Sequence, residues 1–125
     1  QVHLVDYKST SQKSPGKTIT LDDWWKRSYK RQMDFYIWIM KRLGLDAANT
    51  GYFLYCDGDR FTDETFLHTK GATMHFKVTI IEYESDLSWI EPTLFKIRRL
   101  LNARSCPDHA ELCEYGMFLW ACAEL

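Results

Sequence analysis

Asp6 and Lys8 stand two residues apart around Tyr7, at the end of the run Gln1-Val2-His3-Leu4-Val5-Asp6-Tyr7-Lys8. Side chains alternate across a strand, so Leu4, Asp6 and Lys8 share one face while His3, Val5 and Tyr7 share the other. A carboxylate and an ammonium on one face can serve a single centre. Carboxylate oxygens ligate a divalent cation, and a neighbouring lysine orients or deprotonates a water that attacks phosphorus. The same two charges also make an ordinary surface ion pair at a strand end.

A helix is needed to complete such a centre, and the next stretch supplies one. Over residues 21–43, Trp25, Tyr29, Met33, Tyr36, Met40 and Leu43 recur at three- and four-residue spacing, the stripe of an amphipathic helix that Gly44 ends. Gln32 falls inside that stripe. Burying its amide without a partner costs roughly 1–3 kcal/mol, so it is expected either in a satisfied structural contact or facing a polar pocket. Tyr36 lies four residues further on and shares its helix face.

Hydrophobic strand, Asp6-x-Lys8, polar loop and a helix bearing Gln32-x-x-x-Tyr36 together resemble the PD-(D/E)XK nuclease superfamily, in the branch of the RecB nuclease domain and the CRISPR adaptation exonucleases. The segments Gly51-Tyr52-Phe53-Leu54-Tyr55-Cys56-Asp57-Gly58 and Asp86-Leu87-Ser88-Trp89-Ile90-Glu91-Pro92-Thr93 are similar to phage and bacterial members of that superfamily. The resemblance implies an α/β fold with a restriction-endonuclease-like core, a mixed β-sheet flanked by helices. It also implies metal-dependent hydrolysis of DNA phosphodiesters. In that family Asp6 and the backbone carbonyl of Tyr7 would ligate Mg2+ or Mn2+. Lys8 would position the attacking water, and Gln32 and Tyr36 would reach towards the metal or the nucleic-acid backbone.

One departure from the family pattern matters. The pattern has a further acidic residue on a strand hairpin upstream of Asp-x-Lys, and only five residues precede Asp6 here. Residues 1–125 are therefore expected to be the C-terminal portion of one PD-(D/E)XK nuclease-like domain, with its N-terminal strands absent. The remainder of the parent nuclease is then a partner, and hydrolysis by this chain alone is expected to be slight or nil. The alternative is a non-catalytic member of the fold that binds nucleic acid or a protein.

Composition adds bounds. At 125 residues, 46% hydrophobic, the chain suffices for one core. A net charge of -1 makes no global case for nucleic acid. The bases are unevenly placed, however. Lys26, Arg27, Lys30, Arg31, Lys41 and Arg42 crowd the helix, and Lys26, Lys30 and Arg31 are the candidates for DNA phosphates, although a solvated helix face has the same composition. Asp57, Asp59, Asp63 and Glu64 gather in a later loop. With no apolar run of about 18 residues, no membrane partner is expected, and the composition of an ordinary intracellular globular domain leads to the expectation of a cytoplasmic location.

The expected order is strand, polar loop, helix, strand, strand, helix, short helix. Residues 9–20, with Pro15 and Gly16, read as a mobile loop, and Thr20 or Asp22 as the helix cap. Residues 52–56 read as a strand buried on both faces, parallel to the first through a βαβ crossover, with Cys56 a buried free thiol. Asp57-Gly58-Asp59 reads as a turn rather than a calcium loop. Met74, Phe76, Val78 and Ile80 alternate with His75, Lys77 and Thr79 in a half-exposed strand. Ser88 and Glu91 form a capping box for a helix whose buried stripe is Ile90, Leu94, Ile97 and Leu101, with Pro92 in its first turn. RecB-like relatives often hold an iron–sulfur cluster on C-terminal cysteines. Cys106, Cys113 and Cys122 lack any Cys-x-x-Cys pair, so a cluster is not expected, which leaves only Cys106, His109 and Cys113 as a set of ligands.

Overall fold

The alternation that begins the chain forms strand β1 (Val5–Thr10), in which exposed and half-buried residues alternate strictly. It is seen here in a computed structural model that describes residues 1–11, 17–60, 67–105 and 107–123. Pro15 and Gly16 of the expected loop, the acidic Asp63 and Glu64, and Cys106 lie outside the described residues. A 3-10 turn (Trp24–Lys26) leads into helix α1 (Arg27–Arg42), which returns the chain to strand β2 (Thr50–Gly58). The crossover makes β1 and β2 parallel, as the βαβ reading expects, with Asp6 opposite Phe53 and Lys8 opposite Tyr55. A small hairpin of β3 (Leu67–His68) and β4 (Gly71–Ala72) precedes β5 (Phe76–Glu84), which pairs antiparallel with the other edge of β2. The result is a small α/β protein with a mixed sheet of order β1-β2-β5, and β1 at one edge. Asp57 and Gly58 close β2 against Lys77 and Phe76 instead of forming a turn.

Helix α1 covers the sheet face that carries Asp6, Lys8, Phe53 and Tyr55. Ile19, Leu21, Met33, Ile37, Phe53 and Tyr55 form the core there, with Leu4, Tyr29, Ile81, Tyr83 and Leu87 packed against it. Gly51 sets how closely helix and sheet approach. A Cβ built on it would lie 2.9 Å from Met33 Cγ, so the lack of a side chain lets the buried Met33 seat directly on the β2 backbone.

Several expectations are corrected. The buried residues of α1 are Met33, Asp34 and Ile37, and Lys26 continues their line backward, whereas Tyr36 is 41% and Leu43 73% exposed. Ile19 and Leu21 belong to the core, so the segment after the polar loop packs rather than moves freely. The turn is capped at Asp23 with no side-chain cap hydrogen bond, and Thr20 Oγ1 merely accepts from Asp22 N–H at 3.4 Å. Gly44 does end the helix, at φ 81°. On β5 the covered face is Thr79, Ile81 and Tyr83, and Phe76, Val78 and Ile80 point to the exposed face. β2 alternates rather than being buried throughout, and Cys56 is only half-buried.

Asp34 is a buried carboxylate that the sequence did not single out. It accepts the Asp86 N–H at 3.1 Å and the Tyr83 hydroxyl, tying α1 to the end of β5. Burial, then the Asp34 hydrogen bond, pushes the Tyr83 phenol well above its ordinary range.

The chain divides into two compact units, Gln1–Leu87 and Ser88–Leu125. The second contains α2 (Ile90–Leu101) and α3 (Glu114–Ala123). α2 begins at Ile90, directly behind Trp89. Of its expected stripe Ile90 is buried, and Leu94, Ile97 and Leu101 are exposed. No helix among the described residues is long and apolar enough to cross a membrane.

Candidate functional site

Lys8 is the hub of the charged cluster on β1. Its ammonium lies 2.8 Å from Asp6 Oδ2, donates to Gln32 Oε1 at 3.0 Å, and sits 4.3 Å from the centre of the Tyr29 ring. Gln32 then donates through Nε2 to Tyr36 Oη at 2.8 Å. The amide orientation follows from its neighbours, because the ammonium can only donate and so must meet the carbonyl end. All four residues expected from the strand and helix motifs therefore form one connected line, Asp6–Lys8–Gln32–Tyr36. The side chains of Lys8 and Asp6 are 16% and 15% exposed, so water screens their contact less than it would at an open surface.

Asp6 Oδ2, although beside the ammonium, has no hydrogen-bond partner among the described residues. That oxygen is buried against the Lys8 ammonium 2.8 Å away, an ion pair that neutralises its charge. Tyr7 contributes differently. Its side chain is exposed on the opposite face. Tyr52 N–H bonds Leu4 carbonyl, and alternate residues of a parallel strand bond to the same neighbour, so Asp6 and Lys8 turn their backbone groups to β2 and Tyr7 turns its carbonyl to the β1 edge.

Mg2+ is commonly held by one or two carboxylates, with waters and phosphate oxygens completing its shell. The Asp6 carboxylate and the edge carbonyl of Tyr7 are the oxygens that β1 could offer to such an ion. Among the described residues no group of three or more His, Cys, Asp or Glu is placed to hold a metal, so any ion here depends on oxygens from elsewhere for the rest of its shell.

Of the expected phosphate contacts, Arg31 is exposed, Lys30 half-buried, and Lys26 buried at 6%. The Lys26 amine donates to the Thr20 carbonyl at 2.6 Å, pairs with Asp23 at 2.8 Å and lies 4.9 Å from the Trp25 ring. Lys26 therefore belongs to the inside of the site, not to a basic surface. Its hydrogen bond holds the Asp23 carboxyl below the usual carboxylate range. The Asp23-x-x-Lys26 spacing was the signal available for this pair.

Tyr55 lies opposite Lys8, at a position that strand periodicity alone does not distinguish. It is 2% exposed, and its hydroxyl has no hydrogen-bond partner among the described residues. Burial, then the nearby Tyr29, Asp6 and Asp23, raises its phenol above the ordinary value, so it stays a neutral hydroxyl.

In the second unit Cys113 Sγ accepts the Gly116 N–H at 3.4 Å and lies 3.7 Å from His109 Nδ1. Cys106, the third residue of the expected thiolate set, lies outside the described residues. No family model matches the chain, and no curated protein or solved structure matches it.

Proposed function

We propose that the chain carries the strand-and-helix half of a metal-dependent nuclease site of the PD-(D/E)XK type, acting on DNA phosphodiesters. The observation that supports this most is the Asp6–Lys8–Gln32–Tyr36 line, since two motifs 24 residues apart between Lys8 and Gln32 meet through one ammonium. Asp6 and the Tyr7 carbonyl would hold Mg2+ or Mn2+. Such an ion supplies charge stabilisation at the phosphate and acidifies bound water.

The chain's own residues then have distinct tasks. Lys8 directs an N–H towards the attacking water or a non-bridging phosphate oxygen, where negative charge grows. Gln32 and the Tyr29 ring hold that ammonium in place, and Tyr36 fixes the amide. Arg31 and Lys30, on the helix beside this line, draw the DNA backbone towards it.

A second reading, a non-catalytic member in which Asp6 and Lys8 are a structural pair, is favoured by their direct 2.8 Å contact and by the single carboxylate. Mn2+ binding separates the two. The nuclease reading expects EDTA-sensitive cleavage of DNA by the intact protein and Mn2+ binding that Asp6→Ala removes. Equal Mn2+ binding by wild type and Asp6→Ala would leave only the structural reading.

A further inference from the structure

The outward side of α1 and of the turn before it holds a second pattern. Trp24, Arg27, Arg31, Phe35, Trp38 and Arg42 follow one another at three- and four-residue steps, so they line up along the helix on the side away from its buried Met33, Asp34 and Ile37. Trp24 is 86% exposed, Phe35 and the three arginines are exposed, and Trp38 is half-buried. Phe35 and Trp38 stack with ring centres 5.7 Å apart and planes 18° from parallel, and the Arg42 guanidinium lies 5.3 Å from the centre of the Trp38 ring. We propose that this line binds single-stranded nucleic acid, its rings receiving bases and its guanidinium groups phosphates. The inference extends the reading of DNA as the partner, and it depends on binding rather than on cleavage at Asp6.

The composition of the line selects that partner. The solvent side of a helix ordinarily carries polar residues, and an apolar side chain exposed singly needs no explanation, whereas three aromatic rings interspersed with three arginines on one line do. No acid stands among them. Asp34 is the one acid of α1 and is buried on the other side, and Asp23, before the line begins, pairs with Lys26 at 2.8 Å. Three guanidinium groups in a row complement a polyanion. The apolar members are all flat rings, with no aliphatic side chain on the line, and a flat ring receives a base whatever its identity. Base faces are open in a single strand, while a duplex keeps them stacked on one another. An anionic membrane asks for a different helix, with basic and apolar residues on separate faces and the apolar face free to enter the lipid. The apolar face of α1 is already spent on the sheet. From Trp24 to Arg42 the line runs about 27 Å, the length of about eight stacked nucleotides.

The test reads fluorescence anisotropy of a labelled oligothymidylate of about ten nucleotides, an abasic strand and a duplex of the same length, titrated with the full chain over a range of salt. Trp24→Ala removes an exposed side chain, and Phe35→Leu keeps bulk while deleting the ring; circular dichroism confirms that both fold. Wild type should bind oligothymidylate at least about 5-fold more tightly than the abasic strand or the duplex, and each variant should lose about 5-fold or more on oligothymidylate while binding the abasic strand as wild type does. Arg27→Ala and Arg42→Ala should each weaken binding of both single strands and lower the slope of log affinity against log salt by about 0.7.

No binding of oligothymidylate by wild type, equal affinity for all three probes, or variants that bind oligothymidylate as wild type does would each overturn the inference. Binding to vesicles of phosphatidylserine and phosphatidylcholine that Trp24→Ala removes, with oligothymidylate left unbound, assigns the line to a membrane surface and overturns it as well. Trp24-dependent binding of the single strand without any cleavage overturns the nuclease reading alone. Cleavage that needs Asp6, with single-strand binding indifferent to Trp24 and Phe35, overturns this inference alone.

Discussion

The Lys8–Gln32 hydrogen bond ties the strand to the helix, and a double-mutant cycle measures what it contributes. Lys8→Met removes the ammonium while keeping the length of the side chain, and Gln32→Leu removes the amide while keeping its bulk. A hydrogen bond to a charged group contributes about 1.5–3 kcal/mol when well enclosed. Lys8 is 16% exposed, but Gln32 is half-buried and continues to an exposed Tyr36, which places the expectation at the lower end. The coupling between the two substitutions is therefore expected at about 1–1.5 kcal/mol. Lys8→Met alone costs more, because it strands the Asp6 carboxylate, and the cycle cancels that cost. Once Lys8 is gone, Gln32→Leu loses only the bond to Tyr36, about 0.5 kcal/mol. Urea unfolding of the four proteins supplies the free energies. A coupling below about 0.3 kcal/mol, within ordinary additivity, refutes the claim that the amide holds the ammonium.

Further outcomes follow from the same geometry. Asp34→Ala leaves the Asp86 N–H and the Tyr83 hydroxyl unpaired between α1 and β5, and should lower stability by about 2–4 kcal/mol in denaturant unfolding. Tyr83 has a folded-state pKa above its unfolded value of about 10, so its contribution is complete below pH 10 and is lost as pH rises beyond it. Tyr83→Phe should accordingly lessen the fall of melting temperature above pH 10, and an unchanged alkaline slope would contradict this. Gly51→Ala drives a methyl into Met33 and should cost about 1–3 kcal/mol in thermal unfolding. For DNA binding, Arg31→Ala should reduce the slope of log affinity against log salt by about 1. Lys26→Ala should instead act through stability, because that amine is held inside by Asp23 and Thr20.

What could be read from the chain was whatever depends on short-range periodicity. Period-2 alternation put Asp6 and Lys8 on one face, and a helix between two strands made their pairing parallel. Gly44 marked the helix end because only a left-handed residue closes that turn cheaply. The helix face was less legible. Aromatic and aliphatic residues surround α1 on several sides, so Tyr36 and Leu43 extend the stripe as plausibly as Ile37 does, although only Ile37 of the three is buried. Burial of charge was not legible where a partner offsets its cost. Lys26 goes inside because Asp23, Thr20 and an indole receive it, and Asp34 because Tyr83 and the Asp86 amide do. On β5 the more uniformly apolar set, Phe76, Val78 and Ile80, was the less covered one, since register with β2 fixes which side meets α1.

The central claim is that Asp6, Lys8 and Gln32 form a phosphodiester-cleaving centre and not merely a well-made strand-to-helix junction. Its most direct test is the single-turnover rate of DNA cleavage by the intact protein at saturating Mn2+, wild type against Lys8→Met, with folding of the variant confirmed by circular dichroism. A loss of about 100-fold or more is expected, in line with removing one preorganised donor from a hydrolytic centre. A folded Lys8→Met protein that cleaves at the wild-type rate contradicts it.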